Sequence, residues 1–370
     1  MKIRAALFRR AGEPMSIESV DIDVPVGREV LVRVVACGIC HSDAHFLDGK
    51  MSLGLVGAKS DAAVLGHEPA GIVEAVGPEV TYVKPGDRVV GCLSGFCGNC
   101  AQCFTGNPVR CLDKGAIVRR PVKRPRLSLD GKRILQLGML GGFAEKMLVH
   151  ENSIVKIDDG IALDYAALLG CGVLTGVGAV LNTAKVAPAS TVAVFGCGGV
   201  GLSIVQGARI AGARALIAID VRKEKLDMAR RLGATHAIDA SAGDAVQAIR
   251  AIVPQGVDYA FEAVGEPSLV PQLVQCVANG GSAVVVGVMP TGAQYAIPAS
   301  AFHQEKSLKA CSLGSSRFRT DIPLLIELYA GGKLDLAAMV SRRFPLEAIN
   351  EGFDELHKGG LARGVVVFEQ

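Results

Sequence analysis

The sequence predicts an α/β protein with two domains, a β-rich one and one built on a parallel sheet. The chain of 370 residues is too long for one ordinary core. Its first part holds short β-branched segments separated by turn signals, and after about residue 170 strands alternate with helices. The composition, half hydrophobic with 45 glycines and no Trp, suits such a fold better than a β-sandwich.

Short apolar segments predict the strands of the first part, and "VGPEV" and "KPGD" mark turns between them. These segments are "EVLVRVVACGI", "AGIVEAVG" and "DRVVGCL". The second part alternates: strand "STVAVF", helix "VGLSIVQGARIAGA", strand "ALIAID", helix "KEKLDMARRLGA", then strands "HAID", "DYAFEAVG" and "SAVVVGV". Such alternation predicts right-handed βαβ units. The pattern blurs from about residue 313, and "RGVVVF" closes the chain as a strand.

The charge balance argues against nucleic-acid and membrane partners, because a formal net charge of +3 gives no strong overall field. The first residues lack a secretory signal and no apolar run is long enough to span a bilayer, so we expect a cytoplasmic protein. Eleven cysteines in a reducing compartment favour metal or redox use over disulfides. The Pro-broken basic cluster at 119–126 is interpreted as a solvated loop, with an anion site as the alternative.

A glycine turn predicts a dinucleotide site. Gly196, Gly198 and Gly201 form G-x-G-x-x-G between a strand and a helix, and Asp220 ends the next strand. The glycines allow a tight turn, a close approach of pyrophosphate and close packing of helix on strand. The Asp220 carboxylate would bind ribose hydroxyls and repel a 2′-phosphate, which favours NAD over NADP.

A dense cysteine loop predicts a closed metal site. Cys97, Cys100, Cys103 and Cys111 have the spacing C-x2-C-x2-C-x7-C, which suits tetrahedral Zn²⁺. Because four thiolates leave no open position, this site is expected to order a loop and not to react.

Three dispersed residues could make a second, open site. They are Cys40 in "CGICHSDAH", His67 in "GHEPAG" and Cys171 in "GCGVLTGVG". Two Cys and one His leave the fourth position of Zn²⁺ free for a substrate. Spacing alone does not connect them, since each is also explained as a buried core residue.

Over its whole length the sequence resembles the zinc-dependent medium-chain alcohol dehydrogenases. The pieces that carry the resemblance are "CGICHSD", "GHEPAGIVEAVG" with "KPGDRVV", the four-cysteine loop, "GCGVLTGVGA", "VFGCGGVG" with "AID", and "INEGFDELHKG". It implies a GroES-like catalytic domain at 1–172, to which 313–370 return, and a Rossmann NAD-binding domain at 173–312. It also implies two Zn²⁺ per chain, a catalytic one at Cys40, His67 and Cys171 and a structural one in the four-cysteine loop.

The resemblance implies roles for further residues. Ser42 and His45 match a proton relay, Asp43 a carboxylate that orients the His ligand, and Glu68 a carboxylate near the zinc. Residues that match coenzyme-binding positions are Gly196, Gly198, Gly199, Val200, Gly201, Asp220, Lys225, Thr175, His41, Val264, Val288 and Arg363. His41 stands where many relatives have Arg, and Lys225 is equally explained as a solvated helix charge.

The implied reaction moves a hydride between an alcohol and NAD, forming an aldehyde or ketone. The pocket candidates Leu93, Leu137, Met139 and Val288 are apolar, which favours an alkyl or aryl alcohol over a polyol. A glutathione- or mycothiol-type S-(hydroxymethyl) adduct, with Arg119 and Arg120 on the thiol's carboxylates, is one alternative. A non-catalytic nucleotide- or zinc-binding paralogue is another. By analogy with the family, the chain is expected to form a homodimer or homotetramer.

Overall fold

The chain divides into two compact units. The computed structural model describes residues 1–51, 60–119 and 124–369. The first unit comprises Met1–Cys171, Arg317–Ala330 and Leu336–Gln370, and the second comprises Gly172–Ser316 and Gly331–Asp335.

The first 171 residues are rich in short strands with few helices. The strands are β1 (Lys2–Phe8), β2 (Ser16–Ile22), β3 (Glu29–Ile39), β4 (Ala63–Val64), β5 (Pro69–Val76), β6 (Arg88–Gly91), β7 (Leu127–Leu129), β8 (Lys132–Arg133), β9 (Leu135–Gln136), β10 (Lys146–His150) and β11 (Ile154–Ile157). The helices are α1 (His41–Leu47), α2 (Ala101–Phe104) and α3 (Leu163–Ala167). The longest strand, β3, is built almost wholly of apolar residues because the sheet buries nearly all of its length.

The second unit alternates strands and helices. Its helices are α4 (Gly172–Gly178), continued by a π-helical turn at Ala179–Ala184, α5 (Gly199–Ile210), α6 (Lys223–Arg231), α7 (Ala245–Ile252) and α8 (Leu269–Cys276). Its strands are β12 (Thr191–Phe195), β13 (Ala215–Asp220), β14 (His236–Asp239), β15 (Val257–Glu262), β16 (Val277–Val285) and β17 (Ser307–Ala310). Helix α6 buries Leu226 and Ala229, three residues apart on one face, and exposes charged residues elsewhere.

The end of the chain belongs mainly to the first unit. It contributes α9 (Phe318–Ala330), β18 (Val340–Phe344), α10 (Ile349–His357) and β19 (Arg363–Val367). Strand β19 pairs antiparallel with β3, so residues more than 300 positions apart lie side by side.

The described strands form three sheets. Two belong to the first unit, in the orders β8-β7-β2-β1-β4-β9 and β11-β6-β5-β3-β19-β18, with β10 also pairing with β3. The sheet of the second unit has the order β14-β13-β12-β15-β16-β17, and all of its pairs are parallel. That is the 3-2-1-4-5-6 order of a Rossmann fold, which confirms the predicted α/β class.

Each unit has its own apolar core. The largest fully buried side chains of the first include Phe143 and Phe344, and those of the second include Phe195 and Phe261. In the described ranges no single helix is long and apolar enough to cross a membrane. One bent pair, Leu163–Gly170 with Gly172–Ala184, meets that test by length and composition only.

Candidate functional site

The registers around β3 bring distant residues together. Strands β3 and β5 pair antiparallel with Cys37 opposite Pro69, and the Gly38 amide donates to the Glu68 carbonyl at 3.0 Å. Cys40, which follows β3, therefore meets His67 and Glu68, which precede β5. On the other side of β3, Gly364 lies opposite Ile39, so Arg363 lies beside Cys40.

Cys171 reaches the same cluster from the turn after α3. Gly170 packs so closely on the Gly91 carbonyl oxygen that a Cβ there would overlap it. One ligand atom each from Cys40, His67, Glu68 and Cys171 lies within 4.8 Å of the others, and all four residues are buried. The structure thus gathers the three residues predicted as an open metal site, together with Glu68.

The contacts of the two His67 ring nitrogens show which of them is free to bind a metal. His67 Nδ1 contacts Asp43 Oδ2 at 3.0 Å, and the Gly66 amide donates to Asp43 Oδ1 at 3.1 Å. His67 Nε2 is buried without a hydrogen-bond partner in the described part of the chain. Two sulfurs and an orphaned imidazole nitrogen are a donor set that fits Zn²⁺, and the Asp43 contact is the usual support of a His ligand.

The pKa values of the two thiols are shifted in opposite directions. A hydrogen bond from Cys171 lowers the pKa of the Cys40 thiol well below its ordinary value, and the same contact raises the pKa of Cys171. Burial raises the pKa of Glu68 to about 7, although its ion pair with Arg363 opposes the rise. The cluster therefore contains ionisable groups in strongly shifted states, as functional sites often do.

Ser42 and His45 lie on α1, immediately after Cys40. The Cys40 Sγ and Ser42 Oγ atoms are 3.8 Å apart. His45 is half-buried with its Nδ1 unpartnered among the described atoms, and burial, with Lys50 nearby, lowers its pKa. His41 is exposed at the start of the same helix.

Arg363 lies inside the first unit, beside Cys40. Its guanidinium is buried and pairs with the Glu68 carboxylate. Sequence reasoning considered both residues but missed their pairing, because only the β3–β19 register brings them together.

The four cysteines of the loop also converge. Their sulfurs lie within 4.8 Å of one another, with Cys100 and Cys103 at 3.5 Å. Backbone amides donate to the sulfurs, including Leu112 N to Cys100 Sγ at 3.4 Å. This bond, together with further hydrogen bonds from the loop, lowers the pKa of Cys100 to about 6. Four sulfurs held by backbone donors fit a closed tetrahedral Zn²⁺ site.

The glycine turn follows β12 in the second unit. Gly196 has a φ of 90°, and a Cβ at Gly201 would overlap the Gly196 carbonyl oxygen, so both positions require glycine. Gly198 caps α5, and nothing lies within 4 Å of where its Cβ would be. Gly199 and Val200 begin α5, so backbone amides at its N-terminus are available to an anionic group.

The other predicted coenzyme residues of the second unit lie at the ends of its strands or on its helices. Asp220 ends β13 and accepts from Cys197 N at 2.7 Å and Arg222 N at 3.0 Å. Lys225 lies in the first turn of α6, and Thr175 is buried in α4. Val264 and Val288 follow β15 and β16 and are exposed.

Three predicted pocket residues belong to the first unit, and the turn that holds two of them packs against His67 and Leu93. A Cβ at Gly138, between Leu137 and Met139, would be 2.9 Å from Leu93 Cβ and 3.6 Å from His67 Cβ. Leu137 is buried in the core, while Leu93 and Met139 are half-buried. Val288 belongs to the second unit.

The suggestion that Arg119 holds a substrate carboxylate is wrong. The Arg119 side chain is buried and donates to the Glu29 and Asp23 carboxylates, so its charge is already matched inside the first unit. Arg120, the other residue suggested for this role, lies outside the described residues.

Comparison with known proteins identifies the families that the chain resembles. Residues 27–159 match the family model of the alcohol dehydrogenase GroES-like domain, and residues 199–330 match that of zinc-binding dehydrogenases. An S-(hydroxymethyl)glutathione dehydrogenase of Paracoccus denitrificans is 34% identical over 380 residues, covering all of both chains.

Solved structures of dehydrogenases are also similar to this chain. Benzyl alcohol dehydrogenase from Acinetobacter calcoaceticus superposes with a TM-score of 0.92 at 33% identity, covering 100% of both chains. A zinc-binding dehydrogenase from Sinorhizobium meliloti, bound to NADP, superposes with a TM-score of 0.80 at 28% identity over 99% of each chain.

Proposed function

The chain belongs to the zinc-dependent medium-chain alcohol dehydrogenases, and from this premise we propose that it transfers hydride between an alkyl or aryl alcohol and NAD. It is an oxidoreductase that uses zinc and a nicotinamide coenzyme, so a non-catalytic paralogue is no longer an alternative. The observation that carries the proposal is the buried cluster of Cys40, His67 and Cys171, in which His67 Nε2 has no other partner among the described atoms.

The proposed catalytic zinc would be held by Cys40, His67 and Cys171. When bound, it would supply the Lewis acidity that lowers the pKa of an alcohol. Asp43 would hold the His67 ring through Nδ1, which leaves Nε2 to bind the metal. Glu68 supports the site through its ion pair with Arg363 and is a further oxygen donor within ligand distance.

Ser42 and His45 are proposed to move the alcohol proton to solvent. Ser42 lies beside Cys40 and carries a hydroxyl that donates and accepts, and His45 lies three residues further along α1. Burial lowers the pKa of His45, so the imidazole is neutral at physiological pH and able to accept a proton.

We propose NAD as the coenzyme, held by the glycine turn, Asp220, Lys225, Thr175, Val264 and Val288, with His41 and Arg363 as further candidates. The main support is the carboxylate at the end of β13, since a negative charge there disfavours a 2′-phosphate. The NADP in the S. meliloti relative makes the test of this preference necessary.

For the substrate, apolar alcohols are favoured over thiol adducts. Gly138, in the turn Leu137–Met139, packs against both Leu93 and His67, and the predicted pocket residues beside it are apolar. Arg119 is engaged by carboxylates and does not serve a thiol's carboxylates. The alternative remains open because an S-(hydroxymethyl)glutathione dehydrogenase is 34% identical, and turnover of benzyl alcohol against S-(hydroxymethyl)glutathione distinguishes the two.

The domain division, the assembly and the location are further proposals. The first unit would be the catalytic domain and the second the coenzyme domain. A homodimer or homotetramer would form by pairing of the exposed edges of the parallel sheets. A cytoplasmic location stays a prediction from the sequence.

The test compares Cys40→Ala with Cys103→Ser, one cysteine from each cluster. For the purified variants we would measure zinc content by mass spectrometry, alcohol-dependent NADH formation and the thermal unfolding midpoint. Cys40→Ala is expected to lose about a thousandfold or more in turnover and still bind NADH, because the Lewis acid supplies several kcal/mol. Two zinc ions per wild-type chain should fall to one.

Cys103→Ser serves as the matched comparison, since it removes a sulfur from the closed site. It is expected to lower the unfolding midpoint and to leave one zinc, because a structural metal contributes directly to folding. Wild-type turnover in Cys40→Ala would overturn the catalytic assignment. An undiminished midpoint in Cys103→Ser, with zinc unchanged, would overturn the structural one.

A further inference from the structure

Glu262 is a buried carboxylate at the carboxyl end of β15. Its Oε1 atom accepts from the backbone amides of the next turn: Val264 at 2.7 Å, Gly265 at 2.6 Å and Glu266 at 3.3 Å. Three amides directed at one oxygen define the turn after β15.

The same residue also holds the turn after β16. The Glu262 carbonyl oxygen accepts from Val286 N at 2.9 Å and Gly287 N at 3.0 Å. The Oε2 atom lies against Gly287, where a Cβ would be only 2.7 Å away. A Cβ at Gly265 would overlap the Val288 carbonyl oxygen, so the two turns pack directly on each other.

These turns lie next to the glycine turn. Strand β15 pairs with β12, the Ala263 amide donates to the Phe195 carbonyl at 2.9 Å, and a Cβ at Gly196 would be 2.5 Å from Val264 Cγ2. The carboxyl ends of β12, β15 and β16 thus share one edge of the sheet, where open α/β sheets bind ligands.

Burying the Glu262 carboxylate costs free energy, which a turn with a purely structural role would not require. A carboxylate loses favourable hydration when buried, and turns are ordinarily built by exposed Asn, Asp, Ser or Gly. Burial raises the pKa of Glu262, and the backbone donors oppose the rise. Meanwhile Val264 and Val288 are 55% and 44% exposed, at the edge of the sheet where the coenzyme is proposed to bind.

We propose that Glu262 is a positioning residue, which fixes the turns after β15 and β16 so that Val264 and Val288 contact the nicotinamide half of the coenzyme. This inference rests on the proposed function. It assigns Glu262 no contact with the coenzyme, and its effect passes through the two turns.

The experiment measures binding of NADH and of ADP-ribose, which lacks the nicotinamide, by titration calorimetry of Glu262→Ala, Glu262→Gln and the wild type. Glu262→Ala is expected to bind NADH about tenfold more weakly, the factor for losing hydrogen bonds to one charged group. ADP-ribose affinity should stay within about twofold, because the glycine turn that holds the pyrophosphate is unchanged. Glu262→Gln keeps an acceptor oxygen and should lose only about threefold for NADH.

Glu266→Ala is the matched control, since this exposed side chain lies in the same turn and only its backbone meets Glu262. It should bind both ligands as the wild type does. Equal weakening of NADH and ADP-ribose in Glu262→Ala, or no change in either, would overturn the positioning role. If Glu262→Ala does not fold, the same selectivity is required of Glu262→Gln. A wild type that binds neither ligand would instead refute the proposed function.

Discussion

At the scale of single residues, Asp220 joins two parts of the proposed coenzyme site. One carboxylate oxygen accepts from the glycine turn through Cys197 N, and the other accepts from Arg222 N. The carboxylate is thereby fixed beside the turn, where it would accept from ribose hydroxyls and repel a phosphate. Arg222 and Lys223, which follow, would attract a phosphate once that repulsion is removed.

Asp220→Ala is therefore expected to reduce the preference for NAD over NADP. The ratio of kcat/KM for the two coenzymes should fall by at least about tenfold, since loss of a hydrogen bond to a charged group and of a like-charge repulsion act in the same direction. Steady-state kinetics with both coenzymes measure the ratio.

Asp239→Ala provides the comparison for this prediction. Asp239 lies opposite Asp220 in the β13–β14 register, one strand further out, with its side chain bonded to Ser241. Its coenzyme ratio should equal that of the wild type. An unchanged ratio in Asp220→Ala would remove the ribose assignment.

At the scale of elements, a buried ionic cluster ties Arg119 and Arg126 to β2 and β3. Glu29, the first residue of β3, accepts from Arg119 at 2.9 Å and from Arg126 at 2.8 Å, and Arg119 also pairs with Asp23, just after β2. The basic residues at the two ends of the 119–126 segment, interpreted from sequence as solvated or anion-binding, are thus structural.

Glu29→Gln should lower the free energy of unfolding by about 3 kcal/mol at pH 7, because it leaves the buried Arg126 without its carboxylate and takes one of two carboxylates from Arg119. Burial would raise the pKa of Glu29, but Arg119 and Arg126 lower it below its ordinary value. The stabilisation is therefore present above the unfolded pKa of about 4.3 and is lost as pH falls through the folded pKa. Urea unfolding of the wild type and Glu29→Gln at pH 7 and below pH 4 measures this contribution to the free energy of unfolding.

The difference in free energy of unfolding between the wild type and Glu29→Gln should be smaller at the lower pH. Glu18→Gln, which removes a surface pair with Arg9, should change stability little at either pH. A pH-independent difference for Glu29→Gln would contradict the ionic explanation.

Most strands of the second unit could be predicted, because short runs of β-branched residues bounded by glycines are typical of strands. Helix α9 could not, since Pro323 inside it interrupts the helical pattern. Helix α1 was also missed, because its seven residues follow β3 directly and Cys40 supplies no side-chain cap. Its existence matters, since it carries Ser42, Asp43 and His45.

At the scale of the whole molecule, sequence reasoning could identify ligand types but not their meeting point. Four clustered cysteines indicated a metal site by spacing alone. Cys40, His67 and Cys171 came together only through family resemblance, because their proximity depends on the β3–β5 register and the packing of Gly170 on Gly91. Arg363 beside Glu68 needed a strand pairing across more than 300 residues, which leaves no local signal.

The proposed assembly of copies would use the edge of the parallel sheet. Strand β16 is paired on both sides, whereas β17 is at one edge of the sheet. An exposed strand edge presents unpaired backbone groups to another chain.

Substitution of one backbone donor on β17 tests this assembly. Because Cys311 N donates to Val285 on β16, the alternation of a strand directs the Ala310 amide outward. Ala310→Pro removes that donor from both copies of a two-fold interface and should weaken the dimer about tenfold, measured by sedimentation equilibrium. Lys309→Ala keeps every amide and should sediment as the wild type does. An unchanged association constant for Ala310→Pro would show that the copies do not pair through this amide of β17.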